Sequence, residues 1–205
     1  MTSKIALAGR AEHSANRLID ENLIKAIASG SEAAMRTLYR RHHLPVYRFI
    51  VRFGLDPDCA EDLVSEVFLE VWRRASTFEF RSQVSTWILA IARFKSLTTL
   101  GRRREAQLDE SSMEIVADNA DTPEQSILQS DRSAQLRSCL DKLSVQHREI
   151  VDLVYYHETS VEEAAKILHL PKNTVKTRMF YARKHLARLI ATHVDFDYLM
   201  FAQAA

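Results

Sequence analysis

Apolar residues recur along this chain at three- and four-residue intervals. The clearest run is Ala60, Leu63, Val64, Val67, Phe68, Val71 and Trp72, one face of a helix. A second stripe, Trp87, Ile88, Ile91 and Leu97, carries on toward Leu100. An earlier run holds Ile19, Leu23, Ile24 and Ile27, and a later one Leu136, Leu140, Leu143, Ile150, Val151 and Val154. No segment alternates with a period of two between hairpin turns, so strands are not expected. The pattern predicts an all-α chain.

Only four Gly and four Pro occur, nearly all where a helix would begin or end. Gly30 and Gly54 follow apolar-periodic stretches, and Gly101 closes another. Asp56 before Pro57 reads as a cap and first helical residue. Pro45 is the exception, expected to kink or split a helix running from about Ser31 to Phe53. Between Glu105 and Asp131 the character changes: Asp109, Glu110, Glu114, Asp118, Asp121 and Glu124 occur with no Lys or Arg, alongside Ser111-Ser112, Asn119 and Pro123. That stretch reads as a flexible acidic linker. The expected layout is therefore a tail (1–18), a helical domain (19–104), the linker (105–131), a second helical domain (132–192) and a C-terminal tail (193–205).

Composition narrows the functional classes. Hydrophobic residues make up 46% of 205, enough for two small cores, while the formal net charge is only +1. Global basicity therefore gives no argument for nucleic-acid binding; the distribution of charge must supply it. From Ala164 to Val194 there is no acidic residue, and Lys166, Lys172, Lys176, Arg178, Arg183, Lys184 and Arg188 fall inside. A second acid-free window between Glu79 and Glu105 carries Arg81, Arg93, Lys95 and the run Arg102, Arg103, Arg104. Two basic windows on a nearly neutral chain suggest two contacts with a polyanion. Cys59 and Cys139 lie far apart and form no metal or disulfide pattern. The segment from Met1 to Asn16 is polar, and no apolar run approaches the roughly 20 residues that cross a bilayer. A cytoplasmic protein without membrane insertion is expected.

The C-terminal window contains a motif, SVEEAAKILHLPKNTVKTRMFYAR, from Ser160 to Arg183. Ser160 with Glu163 forms a capping box. Val161, Ala164, Ala165 and Leu168 give a short helix whose two alanines admit a close neighbour. His169 occupies the turn position that favours a left-handed residue, which His tolerates. A second helix then buries Val175, Met179 and Ala182. It presents Lys172, Asn173, Thr174, Lys176, Thr177, Arg178 and Tyr181, with Arg183 and Lys184 following. Cations for phosphates and guanine edges, with Asn and Thr for adenine or thymine edges, suit a helix that reads a major groove.

The first domain offers two further surfaces. Asp62, Ser65 and Glu66 share the face opposite the α-helical stripe, extended by Glu70. Such a ridge either solvates the surface or docks a basic helical partner, and spacing alone leaves both open. In Phe78-Glu79-Phe80-Arg81-Ser82-Gln83-Val84-Ser85-Thr86-Trp87, aromatic, basic and amide side chains interleave. They suit either stacking on unpaired bases or closing a loop over a core. Catalysis is not indicated. His42-His43 has no carboxylate at metal spacing, and His147, His157, His169, His185 and His193 are scattered. There is no phosphate-cradling Gly loop and no nucleophile elbow. No metal and no cofactor are expected. A stand-alone helix-turn-helix regulator and a helical protein-binding adaptor are the non-enzymatic alternatives.

Three blocks in order, AEDLVSEVFLEVW (60–72), STWILAIARFKSLTTLGRRR (85–104) and HREIVDLVYYHETSVEEAAKILHLPKNTVKTRMFYARKHL (147–186), resemble the extracytoplasmic-function (ECF) group of sigma factors. The likeness runs from about Asp20 to Leu189. It implies that the first domain is region 2, which binds the clamp helices of core RNA polymerase and melts the −10 element. The second would be region 4, which reads the −35 element and sits on the polymerase flap. Asp62, Ser65 and Glu66 then match the polymerase-binding ridge, and the loop Phe78 to Ser85 the one that captures a flipped −10 base. Arg81, Ser82, Gln83, Arg93 and Lys95 are the −10 candidates; Lys172, Asn173, Thr174, Lys176, Thr177, Arg178, Tyr181, Arg183 and Lys184 are the −35 candidates. An anti-sigma factor is the implied regulator. The chain departs from the family pattern with Ser65 in place of a common Gln, Phe94 in place of the Asn of an IARN motif, Thr98 near a usual Asp, and His169 in place of the turn Gly.

Overall fold

The computed structural model describes the backbone of residues 2–109 and 130–203, and side chains over 15–105 and 136–191. Every element among these residues is helical, and they form two compact units. The first contains α1 (Thr2–Ala28), α2 (Glu32–Val51), α3 (Pro57–Arg74), a 3₁₀ turn (Ala75–Thr77) and α4 (Val84–Asp109). The second contains α5 (Ser130–Asp141), α6 (Val145–Val151) running into a π-helical turn (Asp152–Tyr156), α7 (Val161–Leu168) and α8 (Lys172–Gln203). Most of the expected acidic linker, 110–129, lies outside the described residues.

In the first unit the helix ends follow local chemistry. Gly30 takes φ 88°, and the Gly30 and Ser31 N–H groups bond back to Ile27 and Ala26, ending α1 in a Schellman turn. The Ser31 hydroxyl then accepts from Ala34 N–H at 3.3 Å to start α2. Asp56 caps α3 by accepting from Cys59 N–H at 2.8 Å, with Pro57 in the first turn. All but Trp72 of the α3 stripe are fully buried, against Ile24 and Ile27 of α1 and Leu38, Val46, Phe49 and Ile50 of α2 in a shared core. Each Val, Leu, Ile or Phe among them contributes about 1.5–3 kcal/mol through burial.

Of the kink or split expected at Pro45 the split does not occur: α2 is continuous from Glu32 to Val51. Buried Leu38, Val46, Phe49 and Ile50 flank it, and their burial outweighs the roughly 3 kcal/mol that an interior proline costs. Gly101 does not end α4, which continues to Asp109. The inward face of α4 is Val84, Ile88, Leu89, Ala92 and Ser96, whereas Leu97 is exposed and Trp87 and Ile91 only half-buried. Residues assigned to the two tails are also helical, within α1 and α8; the side chains of the aromatic run from Phe196 to Phe201 lie outside the described residues.

A pairing distant in sequence fastens α1 to α2. Asp20, only 6% exposed, accepts from Arg41 Nε at 2.8 Å and lies 2.9 Å from His42 Nε2. Burial alone would raise this carboxyl's pKa, but the hydrogen bonds and charges of His42 and Arg41 hold it below the ordinary value.

In the second unit, α5 through α8 close a core of Leu140, Leu143, Ile150, Leu153, Ile167, Val175 and Met179. Leu136 stays exposed, and Leu153 rather than half-buried Val154 is fully enclosed in the π-helical turn. The capping box at α7 is reciprocal: Ser160 N–H donates to Glu163 Oε2 at 2.9 Å, and Glu163 N–H to Ser160 Oγ at 3.2 Å. The helix ends in a Schellman turn around His169, φ 52°, with His169 N–H on the Lys166 carbonyl and Leu170 N–H on the Ala165 carbonyl.

Two stability predictions follow from these contacts. Asp20→Ala is expected to destabilise the first unit by about 3 kcal/mol at pH 7, because Arg41 and His42 lose the carboxylate they share. A carboxyl with a depressed pKa stabilises above its unfolded value and loses that contribution as pH falls through the folded one. The urea-midpoint gap between wild type and variant should therefore shrink below about pH 4, and a gap constant down to pH 2 would argue against the pairing. His169→Gly should raise the stability of the second unit by about 0.5–1 kcal/mol, since relieved left-handed strain exceeds the added unfolded-chain entropy. A loss of stability in urea unfolding would mean that the imidazole itself holds the turn.

Candidate nucleic-acid interface

Helix α8 begins two residues after the His169 turn, and its faces sort cleanly. Val175, Met179 and Ala182 are buried. At 3.6 residues per turn, Asn173, Thr177, Tyr181 and Lys184 fall on or near the opposite face, and all four are exposed. Lys172, Lys176 and Arg183 occupy one flank, exposed; Thr174 and Arg178 occupy the other, half-buried. The structure thus brings the nine residues expected here onto one helix, although not as nine equivalent side chains.

Several already have partners. Lys172 Nζ lies 3.1 Å from Glu162 of α7, and that hydrogen bond is the main reason the Glu162 carboxyl titrates below its ordinary value. The Thr177 hydroxyl donates to the Asn173 carbonyl at 2.9 Å. Arg183 stands over the Tyr155 ring, 5.7 Å from its centroid, a cation–π arrangement. His147 of α6 has its pKa lowered by burial first and then by the charges of His185 and Arg178, so it is neutral at pH 7.

On the first unit, the loop between the 3₁₀ turn and α4 forms a pocket of about 250 Å³ lined by Arg74, Thr77, Phe78, Glu79, Arg81, Ser82 and Trp87. Phe78 and Trp87 stack on each other with centroids 4.5 Å apart and planes 23° from parallel. The ring pair packs and lines the pocket at once, so the two readings of these aromatics are not exclusive. Phe80 takes φ 56°, the left-handed region, and Lys25 Nζ sits 5.4 Å from its ring centroid. Strain in a non-Gly loop residue costs on the order of 1–3 kcal/mol and concentrates at functional loops. Arg81 is exposed and paired with Glu79 at 2.6 Å, a contact worth at most about 1 kcal/mol in water. Ser82 lines the pocket; Gln83 stands at the foot of α4, where its carbonyl accepts from Trp87 N–H at 3.1 Å.

Asp62, Ser65 and Glu66 are all exposed on α3, as the spacing requires. Glu66 Oε2, however, accepts from Lys95 Nζ of α4 at 2.8 Å. A ridge carboxylate and a −10 candidate therefore hold each other, which spacing 29 residues apart does not reveal. Arg93 is half-buried on α4. Sequence reasoning also missed Asp20: His42 does meet a carboxylate, from 22 residues away, but as part of an ion pair with Arg41. Among the described residues no group of three or more His, Cys, Asp or Glu is placed to hold a metal, and no helix is long and apolar enough to cross a membrane.

Known proteins share this organisation. The family model for sigma-70 region 2 matches residues 38–106, and that for sigma-70 region 4 matches residues 133–186. The ECF RNA polymerase sigma factor SigX of Bacillus subtilis is 29% identical over 168 residues, covering 77% of this chain and 86% of the relative. BldN of Streptomyces coelicolor, also an ECF sigma factor, is 30% identical over 180 residues, covering 82% of this chain and 64% of that longer protein. Among solved structures, CnrH in complex with the cytosolic domain of CnrY superposes with a TM-score of 0.63 at 25% identity, covering 85% of this chain and 98% of that one. The sigma factor RpoE of Bartonella quintana, in complex with the anti-sigma factor NepR, gives 0.63 and 25%, covering 76% and 96%. With both regions matched in order on two helical units, the chain belongs to the sigma-70 family, in its extracytoplasmic-function group, whose members direct RNA polymerase to promoter DNA.

Proposed function

We propose that residues 19–104 act as region 2 and residues 132–192 as region 4 of a non-catalytic, cytoplasmic sigma factor, joined by the acidic segment 105–131. Asp62, Ser65 and Glu66 dock the clamp helices of core polymerase, and the second unit sits on the flap. Asn173, Thr177, Tyr181 and Lys184 face the −35 major groove, flanked by Lys172, Lys176 and Arg183 on phosphates. Thr174 and the half-buried Arg178 serve the edge of that contact. One observation carries the reading: a helix-turn-helix shares its chain with an aromatic-floored pocket on a separate unit. A stand-alone duplex reader has no use for such a pocket.

In this mechanism the pocket lined by Phe78, Arg81, Ser82 and Trp87 takes one base out of the −10 stack, with Gln83 at its edge and Arg93 and Lys95 along the backbone. Capture offsets an unpairing cost of a few kcal/mol. Neither unit alone buries much surface, so the chain binds promoters weakly when free. Anchoring both units on polymerase raises the effective concentration of the second reader once the first has bound. A protein that covers the ridge or the recognition helix blocks both steps, and an anti-sigma factor is the proposed regulator. The RpoE structure, solved with the anti-sigma factor NepR, supports that assignment.

Run-off transcription with purified core enzyme on genomic DNA tests the whole reading. Specific start sites that appear only when this chain is added are expected; their absence removes it. Asp62→Lys with Glu66→Lys should abolish co-purification with core polymerase while leaving circular dichroism unchanged, and retained binding would exclude the ridge. Lys176→Ala should weaken promoter binding evenly across sequences and reduce the salt slope by about 1. Asn173→Ala should instead relax preference at one −35 position, costing about 1–3 kcal/mol on the preferred base. Unchanged transcription with both variants would remove the recognition-helix assignment.

A further inference from the structure

Three basic side chains meet in the second unit with no acid among them. His147 of α6 and His185 of α8 stand edge to face, ring centroids 6.4 Å apart, and the charges of His185 and Arg178 both act on His147. Arg178 and His185 are seven residues apart, so they share one flank of α8 and lie about 10.5 Å apart along its axis. Arg178 is half-buried there and His185 exposed. Lys172, Lys95 and Arg81 each lie against a carboxylate; among the described residues none pairs with His147, Arg178 or His185. The other charged groups around His147 are engaged or turned away. Arg148 of its own helix pairs with Asp141, Glu149 is buried, and Asp152 of the π-helical turn lies 3.3 Å from His157.

Basic groups gathered at a half-buried place without a counter-ion repel one another and cost free energy, and such clusters concentrate at ligand sites. The complementary ligand is an anion. A helix seated in a major groove about 12 Å wide has a phosphate strand along each flank. Lys172, Lys176 and Arg183 serve one flank; the other, with Thr174, Arg178 and His185, has only this cluster to offer its strand. Its place beside Asn173, Thr177 and Tyr181 favours phosphate over an acidic protein. Resting on the region 4 reading above, we propose that His147, Arg178 and His185 bind the DNA backbone and that binding draws a proton onto His147, so that promoter affinity rises as pH falls. His147 Nδ1 is buried with no hydrogen-bond partner, so a phosphate oxygen reaches the ring at Nε2. In the free chain burial, then His185 and Arg178, hold this imidazole below its ordinary value of 6.5. A phosphate offsets the repulsion and favours the imidazolium. The bound state then holds more protons than the free one, so affinity climbs as pH falls through the bound midpoint and levels off below the free one.

The test uses the full-length chain assembled with core polymerase and a fluorescent duplex carrying the −35 element of a promoter it selects. The ratio of wild-type to His147→Gln affinity for that duplex is expected to rise about tenfold from pH 8 to pH 6, which one imidazole supplies when binding raises its midpoint by one pH unit. Taking the ratio removes titrations elsewhere in the polymerase. In the full-length chain alone, the His147 ring resonance, assigned by its loss in His147→Gln, should titrate at higher pH in inorganic phosphate than in chloride of equal ionic strength. A ratio constant with pH overturns the proposal, as does a His147 midpoint that phosphate leaves in place. A pH-dependent ratio already present in assembly with core enzyme, before DNA is added, also overturns it and assigns the cluster to an acidic protein surface. If wild type selects start sites and only these results fail, the region 4 reading stands without the site. If wild type selects none, both fall.

Discussion

A left-handed residue at His169 lets the chain turn within the three residues between α7 and α8, and the setting of α8 in the second unit depends on that turn. Hydrogen bonds from the His169 and Leu170 N–H groups to the last turn of α7 satisfy carbonyls that a buried helix end would otherwise strand. Ala164 and Ala165, both buried, keep α7 thin on its core side. With the turn fixed, burial of Val175, Met179 and Ala182 sets the rotation of α8 about its own axis. Rotation in turn decides which side chains face outward. A slip of one residue would swing the outer face by about 100° and bring Arg178 toward it in place of Thr177. The outer face of α8 is therefore specified by what lies beneath it more than by the cations on it.

Cations of both basic windows are paired with nearby carboxylates, two of them from a neighbouring helix and one from the same loop. Glu162 holds Lys172, Glu66 holds Lys95, and Glu79 holds Arg81. All three pairs are solvent-accessible and therefore weak, so each cation exchanges its carboxylate readily for a phosphate. The arrangement lowers indiscriminate attraction to polyanions without blocking a contact that is otherwise well placed.

Features within one helical turn of each other were legible in the sequence. The Ser160–Glu163 capping box, the Asp56–Pro57 start, the α3 stripe and the sides of α8 all follow from spacing of three or four, and they carry the exposed positions of Asp62, Ser65 and Glu66 and of Asn173, Thr177, Tyr181 and Lys184. Features that join distant segments were not. Nothing local tells Asp20 that His42 and Arg41 will be its partners, or Glu66 that Lys95 will. The register of α4 was misjudged because its apolar residues exceed one face: Leu97 belongs to the stripe by spacing, yet it is exposed and Ser96 is inside. Gly101 misled for the opposite reason: its local penalty is real, yet α4 runs on through it with residues 101–105 all exposed.

The Glu66–Lys95 contact has a thermodynamic consequence under the proposed assignment of the two surfaces. Any partner that takes up the Glu66 carboxylate leaves Lys95 free to meet a phosphate, and a phosphate on Lys95 leaves Glu66 free for polymerase. Linkage makes the effect equal in both directions. Its size is bounded by the worth of the pair, about 1 kcal/mol or roughly fivefold in affinity. That is too small to act as a switch, since moving an equilibrium from one state to the other takes about 5.5 kcal/mol. It is large enough to bias assembly so that polymerase docking and strand contact favour each other on the same helix pair, α3 and α4, and a factor that must ignore DNA until it holds the enzyme gains from even that bias.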